Sequence, residues 1–237
     1  MNFLVVESSK SIRESLCYIL LSFGVKGIPV KNYREALEHL NNNKQISGVI
    51  VDIDNKDVEG LKLVTYLRES EKTKEIKVIV HTVKTNKDFV IKMAELGIVG
   101  YLLKPFEEKQ SYEKIKKILG NLEDHHAGRK HIRVKPNPDE MLELHFRAPS
   151  SQKLISGKII DISMGGVAVE MFNPPKNEIL ERGVKIPSLN FVLNSRQFSP
   201  AGEIVLNKGS ILAFKFIELS REDKNNLARF IFKRVSQ

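Results

Sequence analysis

The 237-residue chain carries 41% apolar and 28% charged residues, a globular balance that excludes a disordered or fibrous polymer and allows two cores. Its formal charge of +9 is shared, with 20 Lys and Arg against 16 Asp and Glu in residues 1–120 and 18 against 13 after them, so no element has the concentrated charge of a nucleic-acid binder. One cysteine, Cys17, excludes an intramolecular disulfide, and no apolar run approaches the roughly 18–20 residues of a membrane span, so a cytoplasmic protein without membrane insertion is expected.

In chain order, Phe3–Val6 reads as a strand and is followed by a helix with Ile12, Leu16, Ile19, Leu20 and Phe23 on one face. Cys17 falls inside this periodic segment and reads as packing material. Val25–Val30 is a second strand, and Asn32-Tyr33-Arg34-Glu35 is a helix start of capping-box type. Gly48–Asp52 is a buried strand that ends on an acid. Leu61, Val64 and Leu67 mark a third helix, Val78–His81 a fourth strand, and Phe89–Leu96 a fourth helix. The strand Tyr101–Leu103 and a helix from Glu107 to Leu119 complete the series. Five βα units imply a doubly wound parallel five-stranded sheet with helices on both faces. Ligands of such sheets sit at the carboxyl ends of the strands, where Glu7, Asp52, Thr82 and Lys104 fall.

Residues 121–138 are polar and basic, without apolar periodicity, and read as a linker. His125, His126 and His131 lie there without a fourth metal ligand at recognisable spacing and read as solvated. Strand-like runs follow at Met141–Phe146, Lys158–Ile162, Val167–Phe172, Lys185–Leu193, Phe198–Leu206 and Ser210–Ile217, punctuated by Gly, Pro, Asn and Ser as in a small antiparallel β-barrel. Ser220–Lys233 reads as a closing helix with Ser220 as its cap. The expected fold class is therefore α/β plus β, with a domain at 1–120, a linker at 121–138 and a second domain at 129–237.

Two features of the second half carry chemistry. Arg129 and Arg133 stand four apart at the entrance to the barrel, and Asp161-Ile162-Ser163-Met164-Gly165-Gly166 ends one strand and begins the next. Guanidinium groups fork onto guanine O6 and N7 or clasp a phosphate. A carboxylate accepts the hydrogens of guanine N1 and N2, a serine two residues on shares its face, and the glycine pair permits a tight turn, of positive φ if needed. At these residues the sequence resembles the PilZ family, whose signature is RxxxR in the preceding linker and [D/N]xSxxG on the barrel. The resemblance implies binding of cyclic di-GMP by Arg129, Arg133, Asp161, Ser163, Gly165 and Gly166.

The strand-end residues of the first half are similar to those of CheY-type receiver domains. That resemblance implies Asp52 as phosphoacceptor with Gly60 eight residues later, Thr82 and Lys104 as supports of the phosphoryl site, and Tyr101 as the switch aromatic. Glu7 and Asp52 would be the ligands of a weak Mg²⁺ site. Receivers usually end the first strand with two acids, whereas this chain has Glu7-Ser8, and Mg²⁺ tolerates little loss among its few protein ligands. The expectation is a non-enzymatic cyclic di-GMP receptor in bacterial signal transduction, acting on a protein partner through a receiver-like contact module. Its alternative is a response regulator driven by a histidine kinase, with a barrel that takes no nucleotide. Neither reading calls for DNA or RNA.

Overall fold

In the computed structural model the chain divides into two compact units, Met1–Arg129 and Lys130–Gln237. The structure describes residues 1–42, 45–120, 131–175 and 178–235. No helix among them is long and apolar enough to cross a membrane.

The first unit alternates β1 (Asn2–Val6), α1 (Lys10–Ser22), β2 (Lys26–Val30), α2 (Tyr33–Asn42), β3 (Ile46–Asp52), α3 (Gly60–Glu69), β4 (Lys77–Thr82), α4 (Lys87–Glu95), β5 (Ile98–Leu103) and α5 (Glu108–Gly120). Its five strands are all parallel, in the order β2-β1-β3-β4-β5. Because helices cover both faces, the central strands are apolar throughout: Phe3–Val6 and Val49–Val51 are fully buried or nearly so. Asn32 starts α2 by accepting the Glu35 N–H through its side chain at 3.1 Å, and Glu35 in turn accepts the Lys31 N–H at 2.7 Å. Cys17 is wholly buried, and burial pushes its thiol up to about 12. Leu61, expected on the buried face of α3, is 45% exposed; Leu63 takes that place beside Val64 and Leu67. At about 3.6 residues per turn, positions 60, 63, 64 and 67 share one face, whereas a strict three-residue step carries 61 off it.

The second unit holds β6 (Arg133–Val134), β7 (Glu143–Arg147), β8 (Leu154–Ser163), β9 (Gly166–Met171), β10 (Lys185–Ile186), β11 (Asn190–Leu193), β12 (Arg196–Phe198), β13 (Gly202–Lys208), β14 (Ile211–Phe216) and α6 (Arg221–Val235). They form one antiparallel sheet in the order β10-β13-β14-β9-β8-β7-β11-β12, with β6 pairing β8. The sheet curls into a half-barrel around an aromatic core, in which Phe146 meets Phe214 edge to face at 5.3 Å and Phe191 stacks on Phe198 at 5.1 Å. Ser220 caps α6, its hydroxyl accepting the Asp223 N–H at 3.0 Å.

Two expected strands are each split. Lys185–Leu193 breaks after Ile186, where Pro187 has no N–H to donate, and its halves pair with different neighbours, β13 on one side and β7 and β12 on the other. Phe198–Leu206 breaks likewise around Pro200. Between β11 and β12 the chain turns through Asn194 and Ser195, both at positive φ, as a two-residue hairpin requires.

Candidate functional site

Each unit gathers one set of polar side chains. In the first, β3 delivers Asp52, 3% exposed, to the carboxyl edge of the sheet. A Cβ at Gly60 would lie 2.0 Å from the Asp52 carbonyl oxygen, so α3 can begin this close to the strand end only with glycine there. Lys104 follows β5 and sets its Nζ 2.6 Å from Asp52 Oδ1 and 3.6 Å from Asp54 Oδ2. Asp52 Oδ1 also accepts the N–H groups of Asp54 and Asn55 at 2.9 and 3.3 Å. The Thr82 hydroxyl donates to Asp54 Oδ1 at 2.9 Å, and the Val83 N–H to Asp54 Oδ2 at 2.7 Å. The structure thus brings Asp52, Thr82 and Lys104 together, with Asp54 as the link between them. Tyr101 is partly buried against the core on β5, with Lys114 Nζ 4.5 Å above its ring.

Glu7, just past β1, is 3% exposed. Its Oε2 faces His81 Nδ1 at 3.0 Å, and its Oε1 accepts the Ser9 N–H at 3.0 Å and the Ser8 hydroxyl at 3.5 Å. Burial raises the Glu7 carboxyl, but the His81 and Ser9 hydrogen bonds and the nearby His81 and Lys104 outweigh it and hold the group below its ordinary value. Ser8 Oγ accepts from Asn55 Nδ2 at 2.8 Å. The Mg²⁺ of a receiver pocket would need Glu7 and Asp52 to turn carboxylate oxygens toward a common point. Both Glu7 oxygens are instead taken by donors of the protein. No group of three or more His, Cys, Asp or Glu is arranged to hold a metal among the described residues. The residues as placed do not fit the ion. His81 is the member of this pocket to which sequence reasoning gave no role. A histidine near the carboxyl end of an otherwise apolar buried strand was the available signal, since such a ring needs a polar partner.

In the second unit the polar set lies where β6 meets the end of β8, with Arg133 opposite Ser163 and Val134 opposite Ile162. A register shift between Ile159 and Asp161 changes which alternate residues of β8 face the core: Ile155, Gly157 and Ile159 before it, Ile162 after it. Without that bulge Asp161 would continue the buried row; with it, the carboxylate is turned out and is 26% exposed. Arg133 Nη1 lies 3.5 and 3.4 Å from its two oxygens, with the arginine side chain 47% exposed. Ser163 is buried; its hydroxyl donates to the Gly166 carbonyl and accepts the Gly165 N–H, both at 3.3 Å, and so holds the turn between β8 and β9.

The two glycines are needed for space, not for left-handed backbone, since neither has a positive φ. A Cβ on Gly166 would lie 2.1 Å from the Phe214 carbonyl oxygen on β14, and one on Gly165 would lie 2.4 Å from the His131 ring. His131, expected to be solvated, is half-buried against that turn. Arg129, His125 and His126 lie outside the described residues.

An acidic pocket at the carboxyl edge of a doubly wound parallel sheet, followed by a half-barrel with an Arg-Asp-Ser-Gly site, defines a two-domain signalling protein built of non-catalytic domains. Family models match twice, the response regulator receiver domain over residues 3–116 and the PilZ domain over residues 128–233. The chain belongs to the response regulator receiver family through its first unit and carries a PilZ domain in its second. Chemotaxis protein CheY1 of Helicobacter pylori is 31% identical over 121 residues, which cover 51% of this chain and 98% of the relative. A response regulator from Thermotoga maritima is 32% identical with a TM-score of 0.43, covering 50% of this chain and 97% of its own. The PilZ domain of YcgR from Escherichia coli, solved with c-di-GMP, is 15% identical with a TM-score of 0.39, covering 45% and 91%.

Proposed function

We propose that the PilZ unit is a receptor for cyclic di-GMP and that binding reorients the receiver unit for contact with a protein partner. The observation that carries this reading is the pairing of β6 with the end of β8, which sets the Arg133 guanidinium beside the outward Asp161 carboxylate. An exposed ion pair of this kind is worth about 0–1 kcal/mol, so a ligand that separates it gives up little. Each partner then gains more than it loses. Arg133, with Arg129, clasps a phosphate or forks onto guanine O6 and N7, and Asp161 accepts the N1 and N2 hydrogens of a guanine edge. Ser163 holds the turn, and Gly165 and Gly166 let its backbone come close to the ligand. Because Arg129 closes the first unit in sequence and Arg133 belongs to the second, a ligand held by both changes how the receiver is presented.

Arg133→Ala and Arg129→Ala are each expected to weaken cyclic di-GMP binding by about 2–5 kcal/mol in calorimetric titration, the usual loss when a desolvated charge loses its partner. Urea unfolding should be nearly unchanged. Unaltered affinity in both variants overturns the reading.

A second reading, a phosphorylation-driven regulator whose half-barrel takes no nucleotide, is favoured by Lys104 Nζ at 2.6 Å from Asp52 Oδ1, a cation beside a carboxylate nucleophile. Mass spectrometry after incubation with acetyl phosphate and Mg²⁺ tests it: labelling of the wild type that disappears in Asp52→Ala supports a histidine kinase as the input.

A further inference from the structure

A carboxylate as buried as Glu7 needs a partner of its own. The other cationic groups of the pocket are engaged elsewhere. Lys104 is held between Asp52 and Asp54, and Arg13 donates through Nη1 to the backbone carbonyls of Glu7 and Ser8 rather than to the carboxylate. The group that does face the carboxylate comes from β4. His81 is 1% exposed, stands opposite Asp52 in the β3–β4 register, and presents Nδ1 to Glu7 Oε2 at 3.0 Å while Phe106 covers the ring edge-on at 6.3 Å. Its Nε2 is buried without a hydrogen-bond partner. The tautomer follows from this arrangement: a proton on Nδ1 points into the carboxylate, whereas one on Nε2 alone would leave a buried donor unpaired and set a lone pair against Glu7. Neutral or protonated, the ring therefore donates to Glu7.

We propose that His81 takes the place of the divalent cation as the partner of Glu7, so that the carboxylates of the receiver pocket are hydrogen-bonded by the protein's own donors and the pocket takes Mg²⁺ poorly for two independent reasons, Ser8 and His81. The three carboxylates of the pocket each have their donors inside the protein: Glu7 has His81 and Ser9, Asp52 has Lys104 and two backbone N–H groups, and Asp54 has Thr82 and Val83. An ion entering the pocket meets a Glu7 whose Oε2 is already turned to the His81 ring and whose Oε1 is turned to Ser9, so the carboxylate has to be re-aimed before it can serve as a ligand. Restoring the missing acid at position 8 adds one ligand but leaves Glu7 engaged. The proposal thus assigns His81 as a positioning residue that directs Glu7 away from a metal.

The test uses the full chain and Mn²⁺, followed by electron paramagnetic resonance, as a probe of the Mg²⁺ site. Wild type is expected to show no saturable binding through the millimolar range. Ser8→Asp alone should gain little, and Ser8→Asp with His81→Val should bind at least roughly 10-fold more tightly than Ser8→Asp, the scale on which groups that orient metal ligands act. A Ser8→Asp variant that binds as tightly as the double variant overturns the proposal, as does saturable binding by the wild type. Should the double variant fail to fold, Ser8→Asp with His81→Phe takes its place, with the same gain over Ser8→Asp expected and equal affinity overturning the proposal. The ¹⁵N resonances of the His81 ring are expected to stay in place as Mg²⁺ is added; their movement would show that the ion has displaced the ring from Glu7 and would overturn the assignment.

Discussion

The two polar sites of this chain are built from the same elements, carboxylates facing basic side chains at strand ends, and differ in how firmly they are closed. In the receiver unit the pairs are buried and short: Glu7 with His81 at 3.0 Å, Asp52 with Lys104 at 2.6 Å. In the PilZ unit Arg133 and Asp161 are half-exposed and stand 3.4 Å apart. A buried pair that loses one partner leaves an uncompensated charge at a cost of several kcal/mol, about 3–5 in measured cases, whereas an exposed pair at long range is worth about 0–1. The lesson is that the same residue types can mark a site already satisfied by the protein or a site prepared for a ligand. Burial and distance separate the two cases. On this ground the proposed function gives the small-molecule site to the PilZ unit.

The sharpest way to break the contrast is to remove one carboxylate from each site. Asp161→Ala is expected to lose about 1.5–3 kcal/mol of cyclic di-GMP affinity, the worth of hydrogen bonds to a charged group, while Asp52→Ala should leave that affinity within about 0.5 kcal/mol of wild type. Equal losses in calorimetric titration would mean that the two sites do not divide the work as described. A ligand lacking the guanine N2 amine should bind the wild type more weakly, and equal binding would remove Asp161 from guanine recognition.

Next in size are the glycines that let backbone approach backbone. Gly166→Ala meets the Phe214 carbonyl and Gly60→Ala meets the Asp52 carbonyl, so each should destabilise its own unit by about 1–3 kcal/mol in urea unfolding, the range for overpacking. A neutral result at either position would show that the strand or helix end can shift. Ser163→Ala removes the hydroxyl that bridges Gly165 and Gly166 and should cost about 0.5–1.5 kcal/mol of stability, with a smaller loss of ligand affinity than Asp161→Ala.

The smallest effect concerns a committed pair within the PilZ unit itself. Arg234, from α6, is 10% exposed, lies over the Phe230 ring at 3.5 Å and donates to Glu140 at 2.6 Å. That hydrogen bond, with a second from the Asn137 N–H, holds the Glu140 carboxyl below its ordinary value despite partial burial. A depressed carboxyl contributes stability above the pH where the unfolded group titrates, and loses it as pH falls through the lower folded value. Glu140→Gln should therefore be less stable than wild type by up to about 1 kcal/mol at neutral pH, with the difference closing in acid. Urea midpoints across that range check the sign, and a gap that persists in acid contradicts it.

Much of this was legible from residue patterns. Apolar runs ending on Glu7, Asp52, Thr82 and Lys104 place a pocket at the carboxyl edge of a parallel sheet, because ligands of such sheets sit where the strands end. The pairs themselves were not legible. Glu7 and His81 are 74 positions apart and meet only because β1 and β4 both flank β3. The bulge that turns Asp161 outward also leaves no mark in composition, since Ile159, Ile160 and Ile162 read as one apolar run and only the pairing with β9 shows where the register slips. Pro187 and Pro200 were visible as breakers, yet which neighbour each half-strand would join depended on how the sheet curls.

The central claim, that the Arg133–Asp161 site is a place prepared for a cyclic dinucleotide carrying guanine, is tested most directly by calorimetric titration of the full chain with cyclic di-GMP and, as control, cyclic di-AMP. Saturable binding of the first, without binding of the second, is the predicted result. No heat from cyclic di-GMP, or equal affinity for both dinucleotides, would contradict it.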